Sequence, residues 1–128
     1  MKLLLDTCAF LWIAADAPEL STEARRLFTD PANEVYLSAV STWEVALKYR
    51  LGRLPLPEPP GRLVAGLRAA HGIAALALEE DAALQEAKLP PLHRDPFDRM
   101  LVCQAIVHGL VVLTPDPAVA QYPIRVAW

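Results

Sequence analysis

Five carboxylates fall where a charge needs a reason: Asp6, Glu44, Asp95, Asp98 and Asp116. Asp6 closes the apolar run KLLLD and is followed at once by the equally apolar TCAFLWIAA, a position where a charge is costly unless something compensates it. Glu44 is embedded in AVSTWEVALKYRLG. Asp95 and Asp98 stand at the head of the apolar part of HRDPFDRMLVCQA, and Asp116 follows the run LVVLT by two residues. Carboxylates gathered in one small cleft raise one another's pKa unless a cation sits among them. Hard oxygen donors suit Mg²⁺ or Mn²⁺, with water completing the octahedron. Such an ion acidifies a bound water and neutralises charge on a phosphate, the requirements of in-line phosphodiester hydrolysis.

Taken singly, most of these acids have a role that needs no ligand. Asp98 complements the positive end of a helix. Glu44 pairs with Lys48 at i, i+4 on a solvated face. Asp116, between Pro115 and Pro117, serves a turn. Asp6 resists such a reading most strongly. Thr7, directly after it, either orients that carboxylate or a water, or starts a helix.

The acids do chemistry only if the fold brings them together. The chain has 128 residues, read as a single domain over residues 1–128, and its 54 % hydrophobic content is that of a globule with one core rather than a disordered chain. A net charge of −3 argues against gripping nucleic acid by bulk positive potential alone. Cys8 and Cys103 form no C-x-x-C pattern and read as two free, buried thiols of a protein in the reducing cytoplasm. The N-terminal apolar stretch reads as structure rather than as a signal peptide, because Asp6 interrupts it, and no run approaches the ~18 apolar residues of a membrane helix.

Apolar runs at Lys2–Asp6, Glu34–Ser38, Ile73–Leu78 and Leu110–Thr114 predict four buried strands, with IRVAW a fifth. Between them the pattern predicts helices: TCAFLWIAA, a helix N-capped by Ser21 and running to Thr29, AVSTWEVALKYR stopped by Gly52, one opened by Pro59 or Pro60 and running to Ala70, EEDAALQEA, and Pro96 to His108 ended by Gly109. Uniformly apolar strands alternating with helices predict a parallel sheet covered on both faces. Ligands of such sheets bind beyond the carboxyl ends of the strands, the rim where Asp6 and Asp116 fall.

Four segments taken in order resemble the PIN-domain ribonucleases, and within them the VapC toxins of prokaryotic toxin–antitoxin pairs. LLLDTCAF resembles the family's opening strand and first acid, and LSAVSTWEVALKYRLGRL its S-x-x-S-x-W-E segment. HRDPFDRMLVCQA resembles the segment of the third acid, and VVLTPDPAVAQYP the T-x-D segment, Thr114 and Asp116, of the fourth. The resemblance spans essentially the whole chain. It implies a three-layer α/β/α fold with a four- to five-stranded parallel sheet. It implies Asp6, Glu44, Asp98 and Asp116 as catalytic and metal-ligating residues, with Asp116 acting directly or through water. Mg²⁺ or Mn²⁺ dependence and cleavage of single-stranded or loop RNA follow from it, as do a homodimer and a small VapB-like antitoxin partner.

Around this quartet, Thr7, Asp95, Arg94, Arg99 and Thr114 are candidates for supporting the acids or touching substrate. His93, Lys48, Arg50 and Arg53 join Arg94 and Arg99 as candidate phosphate contacts, each also readable as a solvated side chain. Phe10, Trp12 and Trp43 read as core, and His71 and His108 as helix-end residues. Two other readings compete. One is the same fold with an unused site, serving as an RNA- or protein-binding module. The other, a receiver-type phosphoacceptor, wants adjacent acids near the first strand, a central aspartate ending strand three and a lysine after strand five. Strand three instead ends in Glu79, Glu80 and Asp81, which open a helix, and strand five has no lysine. A serine or cysteine hydrolase is disfavoured: no G-x-S-x-G is present, and Cys8 lacks an evident histidine partner.

Overall fold

The uniformly apolar strand Leu3–Leu4–Leu5 is fully buried on both faces, which places it at the centre of the sheet. The computed structural model describes residues 1–128. Strands β1 (Lys2–Leu5), β2 (Glu34–Ser38), β3 (Ala74–Leu76), β4 (Val111–Leu113) and β5 (Arg125–Ala127) form one parallel sheet in the order β3-β2-β1-β4-β5. Helices α1 (Thr7–Ala15), α2 (Thr22–Thr29), α3 (Ala39–Arg50), α4 (Pro60–His71), α5 (Glu80–Gln85), α6 (Pro96–His108) and α7 (Pro117–Ala120), with a 3-10 turn at Glu86–Lys88, connect the strands.

Alternation along β1 and β4 divides the core in two. Leu3, Leu5, Val111 and Leu113 point to one face, where Phe10, Ile13, Ala24, Leu27, Phe28 and Val64 of α1, α2 and α4 cover them. Leu4 and Val112 point to the other, under Val40, Ala82, Leu101, Val102 and Ala105 of α3, α5 and α6. The result is the expected three-layer α/β/α arrangement.

Local signals set most boundaries. The Ser21 hydroxyl accepts the Ala24 amide at 2.9 Å and starts α2. Gly109 ends α6 at φ 66°, a left-handed turn that a β-carbon disfavours. Three expectations need correction. β3 is an edge strand of three residues and largely exposed, not a buried one. A helical turn, α7, follows Asp116 where a simple turn was read. Trp43 is 61 % exposed rather than core, because the face α3 buries carries Val40, Ser41, Glu44 and Val45.

The sheet order reverses direction at β1: the chain moves outward to β2 and β3, then returns to place β4 and β5 on the other side. The crevice at that switch, between the carboxyl ends of β1 and β4, is where such sheets take ligands.

Candidate active site

Extending the registers Leu5↔Leu113 and Leu4↔Tyr36 along the strands sets Asp6 between Thr114 and Ser38, at the switch point. Asp6 is 4 % exposed. Its Oδ1 caps α1, accepting the Ala9 amide at 2.7 Å and the Cys8 thiol at 3.1 Å. Burial pushes its pKa above the usual carboxylate range. The Thr114 hydroxyl and the Ala9 amide draw it back, and the neighbouring Asp116 charge adds to the rise.

Glu44 is equally buried, one and a half turns into α3. Its Oε1 receives the Thr7 hydroxyl at 2.6 Å. Thr7 has one proton to give, so Ser41, whose Oγ is 3.0 Å from Thr7 Oγ1, donates in their contact. Thr7 therefore orients Glu44, not Asp6. The second oxygen of Glu44 pairs with Lys48, so the i, i+4 ion pair exists, but on a buried carboxylate rather than on a solvated face. Burial and hydrogen bonding hold Ser38 too: it donates to Gln104 Oε1 at 2.6 Å, while Gln104 Nε2 donates to the Ala77 carbonyl at 3.2 Å. The end of β2 is thereby tied to α6 and to the chain leaving β3.

Asp95 and Asp98 divide the work at the head of α6. Asp95, read from sequence as part of a loop, is the N-cap: its Oδ1 accepts the Phe97 and Asp98 amides at 2.9 and 3.0 Å. Asp98 is thereby relieved of capping. Its pKa is raised from 3.8 to about 7, first by burial and then by the charges of Asp95, Glu44, Asp116 and Asp6. Charges act on one another appreciably only at short range. Thr7, next to Asp6, bonds Glu44 at 2.6 Å, and the Asp116 amide bonds Thr114, which stands opposite Asp6 once the β1–β4 register is extended. The charges of Asp95, Glu44, Asp116 and Asp6 each add to the rise at Asp98. Asp116 caps α7 through the Ala118 amide at 2.9 Å, while Thr114 Oγ1 accepts its own amide at 3.1 Å.

The candidate phosphate contacts separate by what holds them. Arg99 is committed: it bonds Glu86 at 2.9 Å, the carbonyls of Pro90 and His93 at 3.0 and 3.3 Å, and the Tyr122 hydroxyl at 3.0 Å. It braces the loop before α6 and spends most of its N–H donors there. Lys48 is engaged by Glu44. Arg50, Arg53 and Arg94 are exposed. Trp43 lies edge-on to the partly buried Phe97 with ring centroids 5.0 Å apart, so an exposed aromatic next to Glu44 in sequence meets a partly buried one next to Asp98. Both thiols are free. Burial, and next to it the Asp6 carboxylate, push the Cys8 thiol up, and burial raises Cys103 to about 11. Neither is an activated nucleophile.

No three of the acids, as oriented, already stand close enough to grip one ion. Glu44 is turned to Thr7 and Lys48, and Asp6 spends one oxygen on the α1 cap. The donor set nevertheless fits a hard divalent cation. It is all oxygen, it carries five carboxylates against a single paired lysine, and burial, with the neighbouring carboxylates adding to it, raises the Asp98 pKa. Serine 41, His93, Gln104 and Tyr122 are the residues around this cluster that residue patterns did not single out for these roles. Ser41 and Gln104 carried one signal, a polar side chain on the buried face of an otherwise apolar helix.

A parallel sheet in this order, with acids converging where β1 and β4 part, defines an α/β/α protein with an acidic site at its topological switch. The chain belongs to the PIN domain family, whose pattern it matches over residues 3–124. Ribonuclease VapC16 of Mycobacterium tuberculosis is 48 % identical over 52 residues, which make up 41 % of this chain and about a third (35 %) of that protein's length. Among solved structures, a chain of the DNA-bound VapBC2 complex of Rickettsia felis superposes with a TM-score of 0.73 at 12 % identity, covering 99 % of this chain and 98 % of that one. A chain of the DNA-bound VapBC complex of Salmonella typhimurium gives 0.67 at 22 % identity, covering 99 % and 97 %. At these identities the two structures speak to the fold.

Proposed function

We propose that this protein is a divalent-metal-dependent endoribonuclease that hydrolyses RNA phosphodiester bonds, and that it is the toxin of a type II toxin–antitoxin pair. What supports the reading is that Asp6 stands at the end of β1 next to Thr114, that Thr7 beside it bonds Glu44 at 2.6 Å, and that the charges of Glu44, Asp116 and Asp6 add to burial in raising the Asp98 pKa. Mg²⁺ or Mn²⁺ would be held by Asp6 and Asp98, with Glu44 and, directly or through water, Asp116; when bound, it supplies an acidified water and neutralises a phosphate oxygen. Thr7 fixes the rotamer of Glu44. Lys48 pairs with Glu44 and would add positive charge beside the site for a substrate backbone. Arg94, exposed beside the Asp95 cap, is the free cation best placed to meet a phosphate.

The likeness to chains of VapBC complexes and to a VapC ribonuclease supports a VapB-like antitoxin as partner; a homodimer in the cytoplasm is what the family resemblance adds. An apolar groove of about 350 Å³, lined by Leu11, Trp12, Leu54, Leu56 and Leu63, offers a partner's side chains a seat away from the acids.

Incubation with total RNA tests the activity. Wild type in Mg²⁺ cuts RNA; a chelator stops it; Asp6→Asn, which keeps an acceptor for the Ala9 amide, does not cut. Cleavage that survives both the chelator and Asp6→Asn would refute the reading.

A further inference from the structure

His93 was read as a phosphate contact, but its ring is turned inward. Nδ1 lies 2.7 Å from the Tyr122 hydroxyl, and Nε2 is buried with no hydrogen-bond partner, 3.6 Å from Asp98 Oδ2. A buried polar nitrogen without a partner is uncommon and costs stability unless something completes it.

The direction of the protons follows from the next link. Arg99 Nη1 donates to the Tyr122 oxygen at 3.0 Å, and a guanidinium can only donate. The phenol is 3 % exposed and has no other neighbour to take its proton. If Nδ1 carried a proton, Tyr122 would accept twice and its own buried proton would have no acceptor. If Tyr122 donates to Nδ1, every atom of the pair is satisfied, and the ring proton stands on Nε2. That N–H then faces a carboxylate instead of a lone pair facing one.

We infer that His93 is the positioning residue of Asp98: the chain Arg99–Tyr122–His93 fixes the imidazole with its proton on Nε2, and that N–H takes Asp98 Oδ2, leaving Oδ1 turned to the crevice. The inference rests on the reading of Asp98 as a metal ligand for its consequence, though not for the position of the proton. A small rotation of the Asp98 side chain closes the 3.6 Å separation. Outer partners of this kind commonly tune metal affinity by about 10- to 100-fold.

Two measurements test it. Long-range ¹H–¹⁵N spectra of the metal-free protein give the site of the His93 proton. It is expected on Nε2 in wild type, with the preference lost in Tyr122→Phe; a proton on Nδ1, or a spectrum that Tyr122→Phe leaves unchanged, overturns the inference. Calorimetric titration with MgCl₂ then compares two variants. His93→Gln carries its N–H near the Nε2 position and is expected to keep wild-type affinity. His93→Asn reaches Tyr122 but not Asp98 and is expected to lose about 10-fold. Equal affinities for the two variants would overturn the role. Failure of wild type to take up Mg²⁺ would instead sink the nuclease reading, and the spectra would still decide where the His93 proton lies.

Discussion

At the scale of single residues, crowding among carboxylates makes a prediction whose sign is fixed. The Asp98 pKa rises from 3.8 to about 7 on folding, so the folded protein holds that proton more tightly than the unfolded chain. The associated stability is fully present below about pH 4 and is lost as pH rises through about 7. Urea unfolding of the metal-free protein across that window should show stability falling with pH in wild type and a flatter profile in Asp98→Asn; identical slopes would mean that folding does not raise the Asp98 pKa. The identity of these residues was legible because their positions were odd: Asp6 ends a strand that is buried on both faces. Their partners were less so. Thr7 turns to Glu44 rather than to the adjacent Asp6, because α1 carries its side chain across to α3, and no spacing along the chain encodes that direction. Arg99 looked like a phosphate contact because a sequence shows its charge and not the four oxygens that absorb it.

Among the elements, α6 depends on its cap. Asp95→Ala removes the acceptor for two amides and should cost about 1 kcal/mol, while Asp95→Asn keeps the acceptor and should be close to neutral in stability. Denaturant midpoints distinguish them, and an equal loss in both variants would make the charge rather than the cap the important property. Arg99→Lys should lower the denaturant midpoint, since an ammonium cannot reach Glu86, two carbonyls and Tyr122 together; an unchanged midpoint would return Arg99 to the list of free cations. Helix starts and stops were readable because caps and glycines act locally, as at Ser21 and Gly109. The buried face of α3 was misread for an instructive reason. Trp43 reads as core from its apolar ring, but the helix turns Ser41 and Glu44 inward to meet Thr7 and leaves Trp43 exposed. The apolar run of β3 likewise gives no sign that its neighbours cover it on one side only, because a strand's place at the edge of a sheet is set by the rest of the fold.

For the molecule as a whole, sheet order converts a set of remote acids into a site. Neither β1 nor β4 alone makes the switch; the chain leaves these paired strands for opposite faces of the sheet, α1 to one and α7 to the other, and the right order was inferable only as a condition on which strands are neighbours. The net charge of −3 fits this arrangement, since the excess of negative charge that would repel RNA is concentrated where a cation is needed. The most direct measurement is calorimetric titration of wild type, Asp6→Asn and Asp98→Asn with Mn²⁺ at equal ionic strength. Saturable binding by wild type that falls at least about tenfold in each variant, with all three proteins folded, is the predicted result. Binding of the same strength in all three, or none in wild type, would contradict a shared cation among these acids.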